Sequence, residues 1–276
     1  MEQILGDEHA DAISAMYNRA VTLGNEGKLE EAARILREVL KKMKQILGHT
    51  HPSTILVMHN LVNILENRGE LEEAAKVLGE VKAGSGDGNG SAPLLWAVAG
   101  DHQAVVKLLV DSVVDEDKCA ALSLAAGNGS EPIVDILLQH VARIDATDKD
   151  GRTALHLAAQ SGNALLVEKL IGHHALIDAQ DKNRVTPLHI AALNGFEALV
   201  DILLERGARS NVAGPNNSTA LHLAVEGNHA PVVRSFIDHG AEIDAQDEGK
   251  RTVLYIAAAQ GYDTVANILL QYGGES

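Results

Sequence analysis

One four-residue pattern recurs at a fixed step along the second half of the chain. Thr153-Ala154-Leu155-His156 returns as Thr186-Pro187-Leu188-His189, as Thr219-Ala220-Leu221-His222 and as Thr252-Val253-Leu254-Tyr255, a constant 33-residue step. A fixed period of this length marks stacked supersecondary units rather than one globular core. Within the unit that runs from Lys149 to Asp181, Thr153 starts a short helix whose apolar Leu155, Ala158 and Ala159 fall at helical spacing. Gly162 breaks that helix. Ala164 to Ile171 makes a second one, with Leu166, Val167, Leu170 and Ile171 facing inward. His174 to Asp181 then extends outward as a turn. Neither helix is long enough to bury its apolar face alone, so neighbouring units must stack.

The repeated Thr-x-Leu-His box resembles the ankyrin repeat, with its TPLH-x-A signature, over four copies. Two looser copies precede them. Ala120 to Ala126, followed by Val134 to Leu138, keeps the 33-residue register, and Ala92 to Val98, followed by Val106 to Leu109, lies one 28-residue step earlier. The resemblance implies six units over residues 91–276, the first two divergent and the last truncated, with β-hairpin-like finger loops between units.

A second period occupies the N-terminal third. Ile4-Leu5-Gly6-Asp7-Glu8-His9 returns after a 42-residue step as Ile46-Leu47-Gly48-His49-Thr50-His51, and Leu29 to Ala33 returns as Leu71 to Ala75. Each copy reads as two helices: about Ala10 to Leu23 with Leu29 to Gln45, then Pro52 to Asn67 with Leu71 to Lys82. Pro52 suits a first-turn position, and Gly27 and Gly69 suit the turns between helices. These units resemble tetratricopeptide repeats of the kinesin light chain type over residues 1–83. In that family an Asn of the first helix reaches a bound peptide backbone, and Asn18 and Asn60 hold that slot here. Two readings stand: a short peptide groove, or a helical cap for the ankyrin stack. Residues 84–90 alternate glycine with Ser, Asp and Asn; no Gly-Lys-Ser/Thr follows them, so a flexible linker is expected rather than a phosphate loop. Trp96, just beyond, sits at the slot of core Leu157 and is expected to fill the first ankyrin interface, facing the last tetratricopeptide helix. The fold class is therefore all-α, an α-solenoid of two joined arrays.

Composition narrows the function. The formal net charge is −15, which argues against a nucleic-acid partner, because phosphates need Lys and Arg clusters. No apolar run approaches membrane-spanning length. Met1-Glu2-Gln3-Ile4 lacks the basic and apolar regions of a secretory signal, and a single cysteine forms no internal disulfide. The expectation is a cytoplasmic, monomeric protein.

Thirteen histidines invite a search for metal or acid–base chemistry. His156, His189 and His222 are repeat histidines, which in the ankyrin family hydrogen-bond between neighbouring turns; Tyr255 replaces the fourth. His173 and His174 are adjacent and share no helix face, so no metal site is expected. Cys119 reads as a small buried group just ahead of a helix. Arg34, Arg37, Lys41 and Lys44, interleaved with acids, read as a solvated helix face. Asp145, Asp178 and Asp244 keep the 33-residue step, as do Asp148, Asp181 and Asp247, at positions suited to turn hydrogen bonding. Asn211 and Gly214 break both ladders. The turn position of Gly151 is held by Arg184, Asn217 and Lys250, which requires a left-handed backbone of side-chain-bearing residues. At the helix-end position of Gly207, Gly240 and Gly273, the earlier copies carry Val141 and His174. The second unit is therefore expected to depart from ideal geometry.

No paired nucleophile and base, cofactor loop or metal-binding pattern stands out, so neither enzyme activity nor a cofactor is expected. The resemblance implies protein–protein recognition on the concave ankyrin surface, with a basic or mixed protein or peptide partner. A sensing arm of a larger receptor is the alternative, and an enzyme with a pocket at the array junction is a third. Candidate contacts are the helix-end residues Gln160, Ser161, Leu193, Asn194 and Glu226, the row Phe196, His229 and Tyr262, and the finger residues Arg184, Asn216, Lys250 and Arg251. Phe196 and Tyr262 read equally well as covers for the helix junctions.

Overall fold

The computed structural model describes residues 7–80, 92–140 and 143–273. The Gly-rich segment 84–90 and Val141 lie outside the described residues. Helices and turns account for the ordered elements, with no strand among the described residues. In chain order the α-helices are α1 (Asp7–Asn25), α2 (Leu29–Leu47), α3 (Pro52–Arg68), α4 (Leu71–Gly79), α5 (Ala92–Ala99), α6 (Gln103–Leu109), α7 (Asp115–Asn128) and α8 (Glu131–Leu138). They continue as α9 (Ala154–Ser161), α10 (Ala164–Gly172), α11 (Pro187–Leu193), α12 (Glu197–Glu205), α13 (Ala220–Glu226), α14 (Ala230–Asp238), α15 (Val253–Gln260) and α16 (Asp263–Gly273). The chain divides into two compact units, one of Met1–Ala121 with Asp135–His140 and the other of Leu122–Val134 with Val141–Ser276.

In the first unit, α1 packs on α2, α2 on α3 and α3 on α4, and α5 and α6 both pack on α4. Gly27 and Gly69, each at φ 77°, turn the chain between the paired helices, and Pro52 opens α3 in its first turn. Leu36, Met58, Leu61, Leu65, Leu78 and Leu94 are fully buried and form the core. Of the basic series on α2, Arg34 and Lys41 are exposed, whereas Arg37 and Lys44 are engaged across the helices. Arg37 donates to Glu73 at 2.7 and 2.8 Å and to Glu70 at 3.3 Å, and Lys44 pairs with Glu80. The acids that pair with these two come from α4 and its flanks rather than from their own helix.

Where α3 meets α6, a polar cluster holds the first unit together. Glu66 of α3 accepts from the backbone N–H groups of Ala104 (3.1 Å) and Val105 (3.2 Å), capping the N-terminus of α6. Its other oxygen lies 3.0 Å from Nδ1 of His102, and His102 Nε2 lies 2.8 Å from Nδ1 of His59. A carboxylate only accepts, so His102 donates through Nδ1 and receives at Nε2 from His59. His102 is wholly buried, and burial pulls both imidazoles below their ordinary pKa, with the neighbouring His102 lowering His59 further. A Cβ on Gly100 would collide with His59 Nδ1 and the His102 ring, so only glycine fits there. Trp96 is half-buried on α5, which packs on α4, and its ring lies 6.3 Å from that of His59 on α3.

In the second unit the first helices α9, α11, α13 and α15 pack in succession, as do the second helices α10, α12, α14 and α16. Leu155, Leu166 and Phe236 are among the largest fully buried side chains. Cys119 lies inside α7 and half-buried, not ahead of a helix. The helix begins earlier than its apolar pattern because Asp115, Glu116 and Asp117 fill the first turn, where carboxylates favour the helix dipole.

Candidate functional site

The inner ends of the units are fixed by the Thr-His pairs. Thr153 caps α9, and its backbone N–H donates to Nδ1 of His156 at 3.1 Å. Since Nδ1 accepts, the ring proton is on Nε2, which donates to the Val185 carbonyl of the next unit at 3.0 Å. His189 repeats the pattern with Thr186 (3.2 Å) and the Ser218 carbonyl (3.2 Å), and His222 with Thr219 (3.3 Å) and the Arg251 carbonyl (3.3 Å). All three rings are buried. Burial lowers the proton affinity of His156 and His189, although the accepting carbonyls and nearby aspartates pull the other way. His156 and His189 are therefore neutral struts from one unit to the next, and His222 makes the same pair of contacts.

The loops that these struts hold are tight hairpin-like turns. Asp148 N–H donates to the Arg152 carbonyl (2.9 Å), Asp181 to Val185 (3.0 Å) and Asp247 to Arg251 (3.1 Å). The aspartate side chains close the same turns: Asp148 accepts from the backbone of Asp150 and Arg152, each at 2.9 Å, and Asp181 from Asn183 and Val185. The other ladder reaches forward. Asp145 accepts from Leu176 N–H at 2.8 Å and Asp178 from Arg209 N–H at 3.1 Å, while Asn211 accepts from Glu242 N–H at 3.1 Å. An amide oxygen does this work as well as a carboxylate, so the change at Asn211 leaves the strut intact. Gly214 is different. A Cβ there would come within 2.7 Å of His189 Nε2, and the loop instead makes a 3₁₀ turn over Pro215–Asn217. Arg184, Asn217 and Lys250 adopt φ of 65°, 57° and 62°, matching 81° at Gly151, as their position in the repeat requires.

This geometry repeats at one step, and family comparisons fall on the same residues. Residues 61–148, 122–213 and 210–276 each match the family model described as ankyrin repeats in three copies. The chain belongs to the ankyrin-repeat family. Residues 11–83 match the tetratricopeptide repeat model, of the kinesin-light-chain type, and the two families overlap over 61–83. A comparison with curated proteins finds no match. The ankyrin-repeat protein is all-α and of the α-solenoid class.

Along the ankyrin units, Gln160, Ser161, Leu193, Asn194 and Glu226 are all exposed at the C-terminal ends of α9, α11 and α13. Leu193 is 53% exposed, although a large apolar side chain. Gln160 and Ser161 border a groove of about 540 Å³ with Ser123, Leu124, Asn128 and Arg152. Of the finger residues, Arg184, Asn216, Lys250 and Arg251 are exposed. Arg251 is already engaged, by Asp247 at 2.7 Å and Glu226 at 3.5 Å, which brings a finger and a first-helix end together. Arg184 and Lys250 make no ion pair among the described residues.

The row Asn163, Phe196, His229 and Tyr262 shares a task that its chemistry conceals. Each reaches back to the end of the preceding first helix. Asn163 Nδ2 donates to the Gly129 carbonyl (3.5 Å), His229 Nε2 to Leu193 (3.0 Å) and Tyr262 Oη to Glu226 (3.5 Å). Phe196 lays its ring against Gly162, where a Cβ would stand 3.1 Å away. All four are half-buried. His102 holds the corresponding place in the first divergent unit, one 28-residue step before Ser130, and clasps His59 and Glu66 instead.

The tetratricopeptide unit offers a second surface. Ile13, Tyr17, Asn18, Val39, Met43, Leu56 and Val57 line a groove of about 310 Å³. Asn18 is exposed there, whereas Asn60 is spent on the Tyr17 hydroxyl at 2.7 Å. Among the described residues no cluster of histidine, cysteine and acids has a metal-binding arrangement, and no helix is long and apolar enough to cross a membrane.

Proposed function

We propose that this ankyrin-repeat protein is a protein–protein interaction module that seats a protein or peptide partner on the concave side of its ankyrin units and does no chemistry of its own. The observation that carries the reading is the pattern of exposure within each first helix. One turn before its end, the helix is buried and committed to the stack; its last residues, Gln160, Leu193, Asn194 and Glu226, are exposed and contribute nothing to the core. Their identities are free to serve recognition. Leu193 supplies an apolar anchor, and Arg184 and Lys250 supply unpaired cations among surrounding acids, a rim suited to a partner of mixed charge. Phe196, His229 and Tyr262 buttress these ends from behind, so they shape the surface as well as border it.

The test is affinity capture followed by measured binding of the identified partner. Leu193→Glu combined with Arg184→Glu should weaken that partner about tenfold or more and leave the melting temperature nearly unchanged. Phe196→Ala with Tyr262→Ala should weaken it several-fold while also lowering the melting temperature. Full affinity in the Leu193 and Arg184 variant, with loss on Leu56→Glu, would move the working surface to the tetratricopeptide groove.

A further inference from the structure

Three neighbouring fingers, at residues 181–185, 214–218 and 247–251, form one edge of the ankyrin units with an uneven distribution of charge. They are tied to one another. Gln180 Nε2 donates to the Ala213 carbonyl at 3.1 Å, Glu248 N–H to the Asn216 carbonyl at 2.8 Å and Asn217 Nδ2 to the Gln246 carbonyl at 2.9 Å. The outer two fingers carry Arg184 and Lys250, both exposed and both left-handed, at φ 65° and 62°. A Cβ disfavours that backbone, and Gly151 shows which residue meets the same turn without strain. Neither cation recovers the cost inside the fold, since neither makes an ion pair among the described residues. Such an outlier points to a task outside the fold. The middle finger is the opposite of its neighbours. No Asp, Glu, Lys or Arg occurs from Ser210 to Val225, and Gly214 stands where the flanking fingers have Asp181 and Asp247. Those two aspartates are committed to their own turns. Asp181 accepts from the N–H groups of Asn183 and Val185 at 2.8 and 2.9 Å, and Asp247, 3% exposed, accepts from Arg251. On the middle finger the side chain of Asn216 is exposed and makes no hydrogen bond among the described residues.

We propose that this finger edge binds an acidic, extended segment of the protein partner, with carboxylates of that segment on Arg184 and Lys250 and the Asn216 amide donating between them. This rests on the reading that the ankyrin units seat a partner, and it names the chemistry of the part that meets the fingers. A guanidinium without an internal partner takes a carboxylate through two parallel N–H donors. Lys182 adds positive charge to the same finger, its ammonium held only by the neutral Lys149 carbonyl. Between the cations lie amide donors and no acid to repel the ligand. Arg184 and Lys250 are two repeat steps apart; packed helices at about 8–10 Å per step put them roughly 20 Å apart, the reach of about six residues of extended chain. The ties between fingers hold the arrangement before binding, so little order has to be gained on contact. One group opposes the ligand: Glu248, two residues from Lys250, is exposed and makes no ion pair among the described residues.

Amide chemical shifts of the full chain, titrated at low salt with a glutamate-rich peptide of about ten residues, test the proposal. A lysine-rich peptide of the same length is the control. By overall charge a chain of −15 should attract only the control. The glutamate peptide should nevertheless move the amides of Arg184, Asn216 and Lys250, the control should leave them in place, and about 0.5 M salt should abolish the effect. Arg184→Gly with Lys250→Gly should weaken the glutamate peptide about tenfold or more. The melting temperature of that variant should be unchanged or higher, because glycine suits both turns. Glu248→Gln should tighten the peptide about two- to threefold. Finger amides unmoved by millimolar glutamate peptide, or moved by the lysine peptide, overturn the proposal. So does a glycine pair that lowers the melting temperature, which would make the two cations part of the fold. With the captured partner, Leu193→Glu and Lys250→Glu separate this inference from the recognition surface on which it rests. Loss at Leu193 with full affinity at Lys250 overturns the acidic segment alone, whereas full affinity in both variants overturns the surface itself.

Discussion

Phe236→Ala should lower the unfolding free energy by about 3–5 kcal/mol, the usual cost of emptying a phenylalanine site in a core that only partly collapses. Phe236 is wholly buried on α14, and at 33-residue steps its slot is held by Leu170, Leu203 and Leu269, all buried. The neighbouring units therefore show how much side chain the slot needs. Phe236→Leu, which installs the residue that its siblings carry, should cost under about 1.5 kcal/mol if the surroundings relax. Urea denaturation followed by circular dichroism measures both. A loss below about 1 kcal/mol for the alanine variant would contradict the packing described for α14.

His189→Ala should cost roughly 1–3 kcal/mol, because it strands the Thr186 N–H and the Ser218 carbonyl in a buried site. The same ring makes stability depend on pH. Burial lowers the proton affinity of His156, His189, His59 and His102 in the folded chain, whereas unfolding returns each towards about 6.5. Above that value neither state binds the proton and the stability is fully present. As pH falls below it, the unfolded chain takes up protons that the folded chain resists, and stability is lost until the folded rings titrate. The melting temperature should thus drop on going from about pH 7.5 to about pH 5.5. His189→Ala should flatten that slope, having removed one of the four groups. A flat profile in the parent, or an unchanged slope in the variant, would show that the strut is not neutral and buried as described.

The parts of the fold that repeat were readable and the parts that do not were hidden. The 33-residue step gave away the helix pairs and even the left-handed turns at Arg184 and Lys250, because each copy checks the others, while the histidine struts were implied by the resemblance to the ankyrin repeat. The 42-residue step did the same for α1 to α4. The clasp of His102, His59 and Glu66 has no such signature. Its members come from different periods, and a 28-residue connection displaces His102 from the register of Asn163 and Phe196. Chemical variety concealed that the row shares one role: Phe196 and Tyr262 read as anchors or as junction covers, and nothing tied the amide of Asn163 or the imidazole of His229 to the same job. Arg37 misled for a similar reason: its own helix holds enough acid to suggest local pairing, and only packing brings Glu70 and Glu73 to it. At the candidate surface, sequence marked the helix ends as variable; the exposure of Leu193 and the prior engagement of Arg251 needed coordinates.

Hydrogen exchange of the chain alone and with its captured partner bears most directly on the recognition surface. Binding should slow exchange in peptides that end α9, α11 and α13, around Gln160–Ser161, Leu193–Asn194 and Glu226, and in the turns at Arg184 and Lys250. The outer helices α10, α12 and α14 should be little changed. Slowing confined to the groove of α1 to α3, with the ankyrin helix ends untouched, would contradict the account.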